Sequence, residues 1–176
     1  LLQNKALELS MFLSLPASVS LIVGSEQIIS ALFGYGSFDK VSVSNSANAL
    51  YYFGLGLPAF ALIKVFSTFF FANQDTKTPF YISLFSVILN ILISVYFFRE
   101  IGFIIIPIAT TISSWFNAII LFVYLKNKDL FNFNELFFTK LTKILLASIL
   151  MGIFFNYLIL FFDNKLIHFQ KTKLNN

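Results

Sequence analysis

GLGLPAFALIKVFSTFFFANQDTKTPFYISLFSVILNILISVYFFREIGFIIIPIATTISSWFN, residues 54–117, is the stretch that decides the fold. It contains three apolar runs, which are separated by a polar break at 73–78 and by a short link at 99–102. A helix of about 20 residues rises ~30 Å, which matches the hydrocarbon core of a bilayer, so each run is long enough to cross a membrane. Because both breaks are too short to fold as domains, the sequence predicts a series of membrane hairpins.

The composition of the whole chain agrees with a membrane location. Of the 176 residues, 58% are hydrophobic and only 11% are charged, whereas a soluble domain of this size needs more polar surface to cover its core. The formal net charge is +4, and the basic residues lie in short connectors beside apolar runs, where anionic lipid headgroups are their expected partners. No basic cluster is interleaved with aromatic residues, so nucleic acid is not an expected partner.

Catalytic chemistry has little support in the sequence. Cysteine is absent, which excludes disulfides, thiolate metal sites and cysteine nucleophiles. The chain has no HExxH motif and no glycine-rich phosphate loop, and its one histidine, His168, lies in a charged tail where a solvated surface role is the simplest interpretation. We therefore expect a protein that is not an enzyme.

The apolar runs predict an all-α membrane protein, a bundle of five transmembrane helices. Residues 1–125 hold four of the predicted spans, 126–140 form an amphipathic cytoplasmic connector, and 141–176 hold the fifth span and a polar tail. The five predicted spans are 11–33, 49–71, 79–98, 103–124 and 141–162.

Lysine and arginine counts predict how these spans are oriented. On one side of the predicted spans the basic residues are Lys5, Lys77, Lys126, Lys128, Lys140 and Lys143. The other side has only Lys40 and Arg99 before the tail, which adds three lysines. Cytoplasmic connectors are the ones enriched in Lys and Arg, so the break at 73–78 is predicted to face the cytoplasm.

Lys64 lies inside the predicted second span, about seven residues and so ~10 Å from its end at Phe71. It shares a helix face with the small residues Gly54 and Ala61, which favours a position against protein. Two interpretations stay open. The side chain either snorkels to the interface and anchors the helix, or it is an intramembrane functional lysine that acts on substrate or in coupling.

Three polar side chains of the third and fourth spans are expected at one depth. The spans are antiparallel around a turn near residues 100–101, and at ~1.5 Å per residue Asn90, Ser94 and Thr110 lie ~16, ~10 and ~14 Å from that turn. Neutral oxygens suit a weakly held hard cation, and carbonyls freed by Pro107 could complete its shell. The alternative is a cluster of interhelical hydrogen bonds, worth about 0.6 kcal/mol each on average.

LGLPAFALIKV (55–65) and the following NQDTKTP (73–79) carry a resemblance to the MurJ/MviN family of lipid II flippases, in the multidrug and oligosaccharidyl-lipid exporter superfamily. FLSLPASVSLIV and GFIIIPIATTISSWFNA are similar to other segments of the same family, and the resemblance runs in order over nearly the whole chain. Such flippases have fourteen spans in two lobes and move a lipid-linked peptidoglycan precursor by alternating access. The resemblance implies that this chain is a fragment of the carboxy-terminal lobe, its spans corresponding to the ninth to thirteenth.

The resemblance also implies roles for individual residues. The family's cation site uses an Asn and an acidic residue four positions later in the eleventh span, a Thr in the twelfth and an Asp in the seventh. Asn90 and Thr110 match this pattern, whereas Ser94 stands where some members carry the acidic residue, so a sodium ion would be held weakly or not at all. Lys64 matches a lysine of some members without a firm role. The fifth span would form one wall of a groove for the lipid tail.

The implied partners are lipid II or a similar lipid-linked substrate, membrane lipids and the missing amino-terminal lobe, whose arginines would contact the substrate's diphosphate. The implied location is the bacterial cytoplasmic membrane. Two other functions remain open: a related exporter of drugs or lipid-linked oligosaccharides, and a scaffold subunit that only packs against partner helices.

Overall fold

A computed structural model gives the structure of the protein and describes residues 2–34, 39–130 and 135–174. Within these ranges the chain is built from helices without strands, which confirms the predicted all-α membrane fold. The helices are α1 Leu2–Val23, α2 Ser25–Phe33, α3 Lys40–Ala72, α4 Lys77–Ile101, α5 Ile105–Asn127 and α6 Glu135–Leu174, with a 3-10 turn at Gly102–Ile104 between α4 and α5.

Four stretches of the described residues are long and apolar enough to cross a membrane: Gln3–Val23, Lys40–Ala72, Lys77–Asn127 and Phe137–Phe162. The third has 51 residues and contains both α4 and α5, which pack against each other. The chain reverses at Gly102, whose φ of 73° is a conformation that glycine adopts without strain. This stretch therefore forms a helical hairpin, although the total of five spans stays a prediction.

The predicted bounds of the first span, 11–33, are wrong. Helix α1 begins at Leu2 and ends at Val23, and the chain breaks at Gly24 before the short helix α2. A side chain at Gly24 would clash with the ring of Phe155 on α6, so glycine permits a close approach here. As a result Glu26 is exposed in the first turn of α2, and not inside the span.

Two predicted connectors are shorter than expected. Asp39 caps α3 by accepting a 2.8 Å hydrogen bond from the backbone N–H of Ser42, so helix replaces most of the loop expected over 34–48. With 33 residues, α3 is ~50 Å long and extends beyond the hydrocarbon core. Helix α6 already begins at Glu135 and continues through the residues expected to form a polar tail.

The long helices pack side by side in the order α6, α1, α3, α5, α4, which leaves α4 at one edge with α5 as its main neighbour. The largest buried cluster lies at the end of the bundle that contains the 73–76 turn, here called the Asp75 end. Its members are Leu7, Phe66, Phe69, Phe70, Ile82, Leu121, Leu125 and Phe137. Away from that end, the groove between α4 and α5 is lined by polar side chains.

Polar side chains from both neighbours hold the middle of α3. Pro58 has no N–H, which leaves the carbonyl of Gly54 without its helical donor, and Ser18 Oγ of α1 donates to that oxygen at 2.7 Å. On the other side, Thr111 Oγ1 of α5 donates to the carbonyl of Tyr52 at 2.7 Å. These bonds fix the depth of α1 and α5 relative to α3.

Candidate functional site

The hairpin brings the three predicted site residues of the third and fourth spans together. Asn90 Nδ2 on α4 donates to Thr110 Oγ1 on α5 at 3.0 Å and to Ser113 Oγ at 3.3 Å. Ser94 Oγ, one turn further along α4, donates to Asn90 Oδ1 at 3.4 Å. Residue counting predicted similar depths for Asn90, Ser94 and Thr110, and these hydrogen bonds confirm that the three side chains are neighbours.

The hydroxyl hydrogens on α5 point away from Asn90. Thr110 Oγ1 donates to the carbonyl of Ile106 at 2.8 Å, and Ser113 Oγ donates to the carbonyl of Thr110 at 3.0 Å. Both oxygens therefore offer lone pairs to the space between the helices, which the Asn90 amide hydrogens now occupy. A small cation could take the same position between these oxygens if the Asn90 amide rotated to present Oδ1.

Asn90, Thr110 and Ser113 line a cleft of about 240 Å³ between α4 and α5, which we call the polar cleft. It is lined by Ser83, Ser86, Val87, Asn90, Ile91, Thr110, Ser113, Ser114 and Asn117. Ser113 was missed by the sequence reasoning, which selected only Thr110 on this helix. Its signal was available, because a residue at i+3 from Thr110 lies on nearly the same face.

No residue that lines the polar cleft is charged. Among the described residues there is also no group of three or more His, Cys, Asp or Glu that could hold a metal ion. A monovalent cation in this cleft would be held by neutral oxygens alone, because Ser94 supplies a hydroxyl at the position where the resemblance leads one to look for a carboxylate. Binding by this chain alone would be weak.

Lys64 is exposed on α3 and lies outside the polar cleft. The described part of the chain gives its ammonium group neither an ion pair nor a hydrogen bond, although its backbone carbonyl accepts from Thr68 Oγ1. Gly54, predicted to share its face, is buried against Ile22 of α1. The sequence-based expectation that Lys64 packs against protein is not met by the helices described.

Asp75 organises the turn between α3 and α4. Its Oδ1 accepts from the backbone N–H of Thr78 at 3.0 Å, and its Oδ2 accepts from the Thr78 hydroxyl at 2.7 Å and from Lys128 Nζ at 2.6 Å. The hydrogen bond from Lys128 is the largest of the effects that lower the pKa of Asp75 to about 2, followed by those from Thr78.

A second ion pair ties α6 to the bundle at the same end. Lys140 Nζ lies 2.8 Å from Glu8 Oε2, which joins the beginnings of α6 and α1. Further along α6, Ser148 and Gly152 are buried and Gly152 lies against Val19 of α1, whereas Asn156, four residues after Gly152, is exposed. An entirely apolar cleft of about 400 Å³ also lies between α1, α3, α5 and α6.

Comparison with known proteins gives a consistent result. The family model described as "Lipid II flippase MurJ" matches residues 1–174. The "Probable lipid II flippase MurJ" of Rickettsia prowazekii (strain Madrid E) is 36% identical over 152 residues, which are 86% of this chain and 30% of that protein. The protein of the same description from Rhizobium meliloti (strain 1021) is 35% identical over 151 residues, which are 86% of this chain and 28% of that protein.

A solved structure titled "Lipid II flippase MurJ, inward closed conformation" is similar to this one, with a TM-score of 0.68 and 25% sequence identity. The match covers 89% of this chain and 39% of that chain. The chain thus spans about 30% of the length of the curated relatives that it matches.

Proposed function

The chain belongs to the lipid II flippase MurJ family, and from this premise we propose that it forms part of the carboxy-terminal lobe of a flippase. The intact protein would move lipid II, a lipid-linked peptidoglycan precursor, across the bacterial cytoplasmic membrane during cell-wall synthesis. The observation that carries the proposal is the family match over residues 1–174. The family is one of transporters, and this chain is a multi-pass membrane protein that contributes helices to the proposed flippase.

Recognition of the substrate headgroup is assigned to the part of the protein outside this chain. Within the described residues the polar cleft is uncharged, and the larger cleft between α1, α3, α5 and α6 is lined by apolar residues alone. A diphosphate needs cationic or strongly donating partners, which neither cleft offers. The proposed contribution of this chain is therefore to alternating access and its coupling, and not to binding of the headgroup.

Coupling to a sodium ion is the proposed role of Asn90, Thr110 and Ser94. In the structure, the amide hydrogens of Asn90 join α4 to the oxygens of Thr110 and Ser113. An ion at this position would replace those hydrogens and turn Asn90 Oδ1 toward α5, so that the same oxygens surround a positive charge. Binding of the ion would thereby change the contacts that hold α4 against α5. Coupling requires such a difference in contacts between the ion-bound and ion-free states.

The experiment that tests the flippase proposal uses the intact protein in bacteria depleted of their own lipid II flippase. Rescue of wall synthesis and survival is expected. Continued lysis despite normal membrane expression would contradict the proposal, and altered drug tolerance in those cells would point to an exporter of drugs. A scaffold would tolerate Asn90→Leu and Thr110→Val, whereas a coupled flippase should lose rescue with either substitution.

A further inference from the structure

Asn117, on α5, has a buried oxygen that no group in the described part of the chain satisfies. The residue is 7% exposed, its Oδ1 accepts no hydrogen bond, and its Nδ2 makes a long 3.4 Å bond to Ser83 Oγ on α4. An unpaired oxygen is unfavourable in a membrane, where bulk water is not present to replace the missing donor. Asn117 is one of the residues that line the polar cleft, and a bound species that reached its oxygen would satisfy it.

The neighbouring hydroxyls face the cleft with lone pairs. Ser86 Oγ donates to the carbonyl of Ile82 at 2.9 Å, and Ser114 Oγ donates to the carbonyl of Thr110 at 2.6 Å, so both hydrogens are used on the helix backbone. Both serines are at least nine-tenths buried, at 5% and 7% exposure. The oxygens of both serines therefore keep lone pairs that the helix backbone does not use.

Apart from the long bond that Asn117 Nδ2 donates to Ser83 Oγ, the hydrogen bonds of these side chains leave acceptor lone pairs, and acceptor oxygens attract a positively charged ligand. Four neutral oxygens without a carboxylate are better suited to a monovalent than to a divalent cation, whose dehydration they could not offset. The position lies seven residues, and so ~10 Å, from Thr110 along α5 toward the Asp75 end. The polar cleft contains both positions.

We infer that Asn117, together with Ser83, Ser86 and Ser114, forms a second monovalent-cation position, through which an ion passes between the Asn90 position and the Asp75 end of the bundle. The inference rests on the proposed coupling role of Asn90 and adds a second, weaker binding position to it. Ser86 and Ser114 lie on facing helices between the two asparagines, so their oxygens supply intermediate contacts for the ion.

Thallium(I) tests this position because its anomalous scattering distinguishes it from water. Crystals of the intact protein soaked in a thallium(I) salt should show an anomalous peak within coordination distance of Asn117 Oδ1. The peak should disappear in Asn117→Leu and remain in Asn156→Leu, a matched substitution at an exposed position of α6 outside the polar cleft. An ordered water at Asn117 without anomalous signal, or a peak at Asn90 alone, would overturn the inference.

Asn117→Asp keeps the side-chain shape and tests the same position by gain of affinity, so the inference does not depend on whether the leucine variant folds. A carboxylate should lower the half-saturating sodium concentration of the purified intact protein by about tenfold. An unchanged value would overturn the inference. Lipid II movement, measured in the same preparations, separates the two proposals. If lipid II moves but no ion binds at Asn117, only the second cation position is contradicted. If an ion binds at Asn117 but lipid II does not move, only the flippase assignment is contradicted.

Discussion

Asn90 on α4 and Thr110 on α5 are joined by a 3.0 Å hydrogen bond across the helical hairpin. The donor is the amide nitrogen of Asn90, and the acceptor is the hydroxyl oxygen of Thr110, which itself donates to the carbonyl of Ile106. Interhelical hydrogen bonds of this kind contribute about 0.6 kcal/mol on average, so the pair stabilises the hairpin only slightly. A weak contact that can be exchanged for an ion is suitable for coupling.

Replacing Ser94 with aspartate should tighten sodium binding. The hydroxyl of Ser94 lies 3.4 Å from Asn90 Oδ1, so a carboxylate at this position would add a negative charge beside the proposed ion. We expect the half-saturating sodium concentration of the intact protein to fall by about tenfold, ~1.4 kcal/mol, in equilibrium binding of radioactive sodium. Ser94→Asn is the matched control because it adds an amide of the same shape without charge. Equal affinities for the two variants would contradict the proposed ion position.

The proximity of Asn90 and Thr110 could be predicted from the sequence, because the prediction required only the location of the turn and the rise per residue of a helix. Asn90 and Thr110 are expected ~16 and ~14 Å from the turn near residues 100–101, so the regular rise of the two helices brings them to similar depths. The beginning of α1 could not be found in the same way. Lys5 and Glu8 make the first residues look like a connector, but Leu7 is buried and Glu8 is paired with Lys140, 132 residues away.

The end of α1 illustrates a second limit of the sequence. Apolar residues resume at Ile28 after the short polar segment 24–27, so the sequence-based prediction joins α1 and α2 into one span. The close approach of Phe155 that requires glycine at this position comes from α6, which is far away in the chain. Similarly, the unpaired oxygen of Asn117 could not be recognised from the sequence, because the pairing of a buried oxygen depends on the side chains that tertiary packing brings to it.

Gly152→Ala should destabilise the contact between α6 and α1. A methyl group at this position would overlap Cγ1 of Val19, and a β-branched side chain in a helix has little freedom to rotate away. We expect a loss of about 1–3 kcal/mol, measured as a lower thermal unfolding temperature in detergent. Val19→Ala should recover part of the loss in the double variant. Additive effects of the two substitutions would contradict direct contact between the residues.

Asp75→Asn should reduce stability near neutral pH but not in strong acid. The pKa of Asp75 is lowered from its ordinary value of 3.8 to about 2, so its charged contacts stabilise the folded state fully above 3.8 and are lost as the pH falls through 2. Lys128 is 44% exposed, which limits the expected effect to about 1 kcal/mol or less. Thermal unfolding should therefore differ from the unsubstituted protein at neutral pH and converge toward it near pH 2.

Asp129→Asn is the control for this experiment. Asp129 lies in the adjacent turn after α5, has no ion pair within the described ranges and has a φ of 52°, which asparagine tolerates well. The Asp129→Asn variant should have nearly the same thermal unfolding temperature as the unsubstituted protein at every pH tested. A difference for Asp75→Asn that persists unchanged in strong acid would show that the ion pair and the charged cap are not its cause.

Lys64→Met should leave the stability of the protein nearly unchanged. The side chain is exposed and has no polar partner among the described helices, so its loss should alter the free energy of unfolding by no more than about 0.5 kcal/mol. Thermal unfolding of the intact protein measures this, with Lys140→Met as the comparison that removes an ion pair to α1. A large loss of stability would show that Lys64 is packed against the part of the protein outside this chain.

Transbilayer movement of lipid II in proteoliposomes that contain the intact protein tests the central claim most directly. A sodium gradient should drive movement in the unsubstituted protein and in Asn156→Leu, and movement should be lost in Asn90→Leu although the variant is folded. Absence of lipid II movement with the unsubstituted protein, or undiminished sodium-driven movement with Asn90→Leu, would contradict the account.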